Sequence, residues 1–177
     1  GLKADLQVVP LEGYTHNTAY QLPIPPSPNL PNAQAVRLYP SLGLFEGTHV
    51  NAGRGTGHQF QCFGAAFLLE THFDFSYTPE PRPGATQPKQ EGLECHGRDL
   101  RAVTPPDSVD LNWLVEAYTY RDPAVPFFKT SGFTKHAGTE NLQKQIEAGW
   151  DAARIRTSWQ ESLQVFLKIR AKYLIYD

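Results

Sequence analysis

The chain has 177 residues, of which 40% are hydrophobic and 12% aromatic, enough for one domain with a sizeable core. A formal net charge of -2 argues against a nucleic-acid or membrane-surface protein, and no apolar run is long enough to span a bilayer. With 15 prolines and 14 glycines, long ordered loops are expected rather than a mainly helical domain. The chain begins at Gly1 without an initiator Met or a signal-peptide pattern, as expected of a piece of a longer protein.

In chain order, Asp5 to Pro10 alternates and predicts a first strand. Leu22 to Pro31 is punctuated by prolines and is neither a helix interior nor a central strand. Asn32 to Tyr39 predicts a short helix capped by Asn32, with Ala35, Val36 and Tyr39 on one side and Pro40 as the stop. Leu42 to Phe45 is expected as a second strand and Gln59 to Phe63 as a third. Residues 65–77 are apolar and aromatic without a clear period, and Thr78 to Glu91 is a loop by composition. Glu94 to Leu100 is a further candidate strand.

The last third changes character. Ser108 to Arg121 places Leu111, Leu114, Val115 and Tyr118 at helical spacing, with Asp107 or Ser108 as the cap. Glu140 to Ala148 predicts a second helix, ended by Gly149. Ser158 to Lys172 is the clearest helix, with Ser158 and Glu161 as a capping box and Lys168, Arg170 and Lys172 at the negative end. Together these predict an α+β fold: a mixed β-sheet with long Pro/Gly-rich loops in the first two thirds, packed by C-terminal helices.

The densest chemistry lies between Leu44 and Thr56. Here Glu46 and Arg54 offer an acceptor pair and a fork of donors, Thr48 and Thr56 add hydroxyls, and Gly47, Gly53 and Gly55 let the backbone turn sharply. Such loops commonly carry binding and catalytic residues. Glu46 is the best candidate acid; the alternative is a structural ion partner for Arg54. His49 and His58 flank the loop. Asn29, on the stiff proline-rich stretch, has an amide suited to a sugar hydroxyl or acetamide, or else forms a turn. Arg98 and Asp99 either line the same face or form a surface pair. The aromatics Tyr14, Tyr20, Phe67, Phe73, Phe75 and Tyr77 suit stacking on sugar rings or core packing.

There is no P-loop, no G-x-S-x-G elbow and no H-E-x-x-H. The six histidines are scattered without metal-ligand spacing. Cys62 and Cys95 lack CxxC or zinc spacing, and two buried free thiols are expected in preference to a disulfide.

Several segments resemble the exo-β-N-acetylmuramidase (NamZ) family, formerly a family of unknown function. They are VVPLEGY (Val8 to Tyr14), PSPNLP (Pro26 to Pro31), YPSLGLFEGTHVNAGRGT (Tyr39 to Thr56), FSYTP (Phe75 to Pro79), CHGRDLR (Cys95 to Arg101), and the ending AGTENLQKQIEAG … SWQESLQVFLKIRAKYLIY. The resemblance implies a two-part protein, with an N-terminal Rossmann-like catalytic domain followed by a C-terminal domain that residues 1–177 represent. It implies release of terminal N-acetylmuramic acid (MurNAc) from the non-reducing end of peptidoglycan fragments such as MurNAc-GlcNAc. The cleft is expected near the junction, with the principal carboxylate on the other half and this domain as the second wall.

On this resemblance Glu46 is the candidate acid or polar cleft residue, and Asn29, Thr48, His49, Arg54, Thr56 and His58 are candidate substrate-binding residues. An arginine fork such as Arg54 suits the lactyl carboxylate of MurNAc. No metal or cofactor is indicated. The substrate implies a periplasmic or secreted protein, with an export signal upstream of this piece. His49, Asn51, Ala52, Gly57-His58 and Arg98 depart from the family pattern, whereas Glu46, Gly47, Thr48, Gly53, Arg54, Gly55 and Thr56 match it. The competing readings are a non-catalytic carbohydrate-binding module and a structural cap.

Overall fold

The structure is a computed structural model and describes residues 3–176. The chain forms two compact units, one from Gly1–Gln21 with Ser158–Asp177 and one from Leu22–Thr157. The α+β expectation holds, but the sheet differs from the mixed one expected: among the described residues it is wholly antiparallel. It contains β1 (Cys62–Ala65), β2 (Phe75–Tyr77) and β3 (Cys95–Asp99) in the order β1-β3-β2. Cys62 faces Asp99 across one edge and Tyr77 faces Cys95 across the other.

Helix α1 (Ala33–Leu42) starts where expected, with the Asn32 side chain accepting from the Ala35 N–H at 2.9 Å. It does not stop at Pro40, which lies inside it, and the predicted strand at Leu42 to Phe45 is absent. Instead the chain continues into a 3-10 turn, Gly43–Gly47. The reason is a helical rather than alternating apolar spacing: Ala35, Leu38, Leu42 and Phe45 fall on one face, and all are fully buried. That burial outweighs the single backbone bond lost at proline. Phe45 stacks on Phe63 of β1, with ring centroids 4.8 Å apart.

The predicted strand at Asp5 to Pro10 also does not form. Its residues are exposed and no neighbouring strand pairs with them; a lone extended segment leaves its backbone groups to water. The third predicted strand shifts to Cys62–Ala65, and Phe75–Tyr77, in the stretch read as irregular, supplies a strand. Both cysteines are buried and free, as expected; burial pushes each thiol up to about 12.

Four further helices follow: α2 (Asn112–Thr119), α3 (Thr130–Ala137), α4 (Asn141–Glu147) and α5 (Ala152–Arg170). In α2 the cap position is Leu111, rather than Asp107 or Ser108, and Asp110 just before it accepts from the Asn112 N–H at 2.8 Å. Helix α4 matches its prediction. Helix α5 begins six residues early, because Ala152 and Ile155 are buried there and Asp151 accepts from the Arg154 N–H at 2.7 Å. Ser158 is therefore inside the helix and no capping box starts there.

Helix α3 has no counterpart in the sequence prediction. It packs on the 3-10 turn so closely that a Cβ on Gly47 would lie 2.3 Å from Phe133 Cα. The Gly47 carbonyl accepts from the Lys129 N–H and the Phe127 carbonyl from the His49 N–H, each at 2.9 Å. Among the described residues no helix is long and apolar enough to cross a membrane.

Candidate functional site

Glu46 is the penultimate residue of the 3-10 turn, and the following loop returns Arg54 to it: Arg54 Nη1 lies 3.0 Å from Glu46 Oε2. The pair is partly open to solvent, with side-chain exposures of 20% for Glu46 and 36% for Arg54. Arg54 Nη2 also donates to the Gly84 carbonyl at 3.1 Å, and Asn29 Nδ2 donates to the same carbonyl at 2.8 Å. Two residues singled out from sequence, Asn29 and Arg54, thus meet on the Gly84 carbonyl, and Glu46 joins them through Arg54. Two of the five guanidinium donors are used in these bonds.

The pair stands between two clefts. One, of about 460 Å³, is lined by Glu46, Asn51, Arg54 and the segment Gly84 to Lys89. The other, of about 320 Å³, is lined by Asn29, Tyr39, Glu46, Arg54, Phe60 and His136, among others. Among the described residues Glu46 is the only carboxylate that lines either cleft. The second cleft holds a ring pair, Tyr39 edge-on to Phe60 at 4.9 Å. Phe60 has φ 50°, a left-handed conformation uncommon for a bulky residue and a recurrent mark of functional sites. Asn29 Oδ1 is buried there without a protein partner.

The loop is held by its own polar groups. The Thr48 hydroxyl donates to the Phe45 carbonyl at 2.8 Å and accepts from the Val50 N–H at 3.1 Å. The Thr56 hydroxyl donates to the Gly53 carbonyl at 2.7 Å and accepts from the His58 N–H at 2.8 Å. Both threonines are buried and make turns rather than facing the clefts. At Gly55, φ is 81° and a Cβ would lie 2.7 Å from the Glu80 carbonyl oxygen and from Pro88, so only glycine lets the two loops touch.

Sequence reasoning missed Lys89. Its ammonium donates to the carbonyls of Phe45 (2.7 Å), Glu46 (3.1 Å) and Val50 (3.3 Å), tying the Pro-rich loop to the backbone under Glu46. Burial pushes Lys89 down to about 8, and the Lys129 and Arg54 charges add to this against the attraction of Glu46. Asn51 is buried beside it and bridges the same loops: Nδ2 donates to the Arg54 carbonyl at 2.9 Å and the Lys89 carbonyl at 2.7 Å, and Oδ1 accepts from Tyr77 at 3.2 Å. The signal for Lys89 was a long, proline-stiffened loop, of the kind that is seldom only a connector.

The flanking histidines go elsewhere. His49 turns toward the segment before α3, where burial, Lys129 and Lys89 push it below the ordinary histidine range. The His58 ring lies 3.3 Å from Arg101 Nη1, which belongs to the Asp99–Arg101 pair. Neither histidine lines the two clefts. Arg98 and Asp99 do not pair with each other: Arg98 binds Glu116 at 2.6 Å and Asp99 binds Arg101 at 2.6 Å. Burial raises the Glu116 carboxyl, but hydrogen bonds from Arg98 and His72 outweigh it and leave a lowered value. Phe73 is core, and Phe75 and Tyr77 lie on β2. Among the described residues no group of three or more His, Cys, Asp or Glu side chains is placed to hold a metal.

Comparison with known proteins identifies the family. The chain is 32% identical to the peptidoglycan beta-N-acetylmuramidase NamZ of Bacillus subtilis (strain 168), over 99% of this chain and 46% of that protein. The crystal structure of a DUF1343 family protein from Bacteroides fragilis NCTC 9343 superposes with a TM-score of 0.87 at 39% identity, covering 94% of this chain and 47% of that one. A second DUF1343 family protein of the same strain shares the fold, with a TM-score of 0.61 at 15% identity over 87% of this chain and 45% of that one. The chain thus spans about half the length of these relatives. Residues 37–176 match the family model described as exo-beta-N-acetylmuramidase NamZ, C-terminal, and the chain belongs to that family.

Proposed function

We propose that this chain is one half of a peptidoglycan-degrading exo-β-N-acetylmuramidase and that its Glu46–Arg54 pair forms part of a wall of the active-site cleft. The observation that carries the reading is that Glu46 is the only carboxylate lining either cleft among the described residues. Glycoside hydrolysis ordinarily takes two carboxyl groups set across the scissile bond, and this wall offers at most one. The principal carboxylate then belongs to the Rossmann-like N-terminal half. The Arg54 fork, held by Glu46 and Gly84, supports recognition of the lactyl carboxylate of MurNAc. Asn29 and the exposed Tyr39 ring, backed by buried Phe60, offer an amide and a ring surface for a sugar. A substrate from the cell wall sets the protein in the periplasm or outside the cell.

A specific observation favours a binding role for Glu46 over proton transfer: its carboxylate is already engaged by Arg54. The test is kinetic, in the full-length protein, on MurNAc-GlcNAc. Arg54→Lys and Glu46→Gln are expected to raise KM at least tenfold with little change in kcat, and this chain alone is expected to release no MurNAc. A kcat loss without a KM change makes Glu46 the acid instead. If neither substitution moves either constant, the wall assignment fails and the structural-cap reading stands.

A further inference from the structure

Most of the exposed large apolar side chains of this protein fall in the unit formed by the two ends of the chain. In the N-terminal arm they are Leu6, Val8, Val9 and Leu11, with Val9 82% exposed. In α5, Ala152 and Ile155 anchor the first turn, and from Gln160 to Ile175 every residue is exposed. Yet that stretch carries Leu163, Val165, Phe166, Leu167 and Ile169, followed by Tyr173, Leu174 and Ile175. At 3.6 residues per turn the five helical side chains spread over a broad face of about 200°, with Gln160, Glu161, Gln164 and Lys168 on the remaining side. An amphipathic helix buries its apolar face against another element; here that face is exposed, and an apolar patch of this extent marks an interaction site. The arm and the tail form one surface: the Leu11 N–H donates to Tyr176 Oη at 2.6 Å, and Tyr14 packs edge-on to Tyr176 at 4.9 Å.

We infer that this surface is the seat of the preceding half of the same polypeptide. Two observations choose the occupant. The matched relatives run to about twice the length of this chain, and the matching family model is the C-terminal one, so the remaining length precedes it. The exposed end of the helix carries Lys168, Arg170 and Lys172 against Glu161 alone, which suits an apolar surface with an acidic rim better than a second copy of itself. The inference rests on the reading of this chain as one half of a longer protein, but not on the assignment of Glu46 and Arg54.

Hydroxyl-radical footprinting of the full-length protein and of this chain alone tests it, because Phe166 (56% exposed) and Tyr173 (76% exposed) are reactive probes. Both are expected to oxidise at least fivefold more slowly in the full-length protein. Equal rates in the two overturn the inference. So does slowing in this chain alone that grows with its concentration alongside a doubling of mass by light scattering, which assigns the surface to a second copy. A paired substitution, Val165→Glu with Phe166→Glu, is expected to leave the melting temperature of this chain within 2 °C of the parent while splitting the full-length unfolding transition in two. A single unchanged transition in the full-length variant also overturns it. MurNAc-release assays on the same samples separate this outcome from failure of the cleft assignment.

Discussion

Gly47→Ala puts a methyl carbon 2.3 Å from Phe133 Cα, 2.7 Å from its amide nitrogen and 2.9 Å from its Cβ. Carbon atoms rest at about 3.5–4.0 Å, so the two backbones must part by more than an ångström. The bonds from the Lys129 N–H to the Gly47 carbonyl and from the His49 N–H to the Phe127 carbonyl resist that movement. Strain of about 2 kcal/mol and one weakened backbone bond of about 1 kcal/mol give a loss of about 3 kcal/mol. For a chain of this length that lowers the melting temperature by about 6–12 °C. Gly132, across the same contact, gives the control. A Cβ there meets Gly47 Cα at an ordinary 3.9 Å, and Gly132 lies within α3, where alanine improves helix propensity by up to about 1 kcal/mol. Thermal unfolding followed by circular dichroism should therefore show opposite signs for two alanines at one interface. Equal melting temperatures for Gly47→Ala and the parent would falsify the close-approach argument, as would Gly132→Ala falling as far as Gly47→Ala.

Lys89 gives the chain a stability term that grows in alkali. The unfolded chain keeps this proton to about 10.5 while the folded chain releases it near 8, so between these values the unfolded state binds more protons and folding gains as pH rises. The stability difference between the parent and Lys89→Met, from urea titrations at pH 7.5 and 10, should shift in favour of the parent at the higher pH; no shift refutes the burial of that ammonium. Cys62 and Cys95, buried and pushed up to about 12, should react with a disulfide reagent at pH 8 only after unfolding; a fast phase in native protein contradicts this. The Glu116 carboxyl sits below its ordinary value, so its share of stability is complete above about pH 4.5 and is lost as pH falls through the lowered value. Glu116→Gln should accordingly flatten the acid limb of the melting-temperature profile between pH 5 and 3, and an unchanged limb rules that out.

How legible the fold was depended on the range of the signal. Helices α2 and α4 were readable because their apolar positions, and for α4 the Gly149 stop, sit within one short window, whereas the cap of α2 was not. Helix α1 was read to Pro40 and no further, although the spacing of Ala35, Leu38, Leu42 and Phe45 runs through the proline; the breaker masked a stripe that burial sustains. Helix α3 (TSGFTKHA) has one buried apolar residue, Phe133, and an internal glycine, so no periodicity marks it. It forms because Gly47 leaves room for Phe133. In the site, Glu46 and Arg54 are eight residues apart and their pairing was visible. Lys89 reaches the same turn from 43 residues away, and no local pattern encodes that. Thr48, Thr56, His49 and His58 lie in or beside the same segment, but the turn directions, which sequence does not display, send them away from the clefts.

Phe45 and Glu46 are consecutive residues, one fully buried against Phe63 and the other facing both clefts. The floor of the domain and its working surface are therefore a single peptide bond apart. An engineer who trims the aromatic to soften the core will re-aim the carboxylate, and one who lifts the loop onto another scaffold will lose its direction unless Phe45, Phe63 and Lys89 travel with it. Selection for altered specificity at this wall will accordingly be met first as a problem of folding.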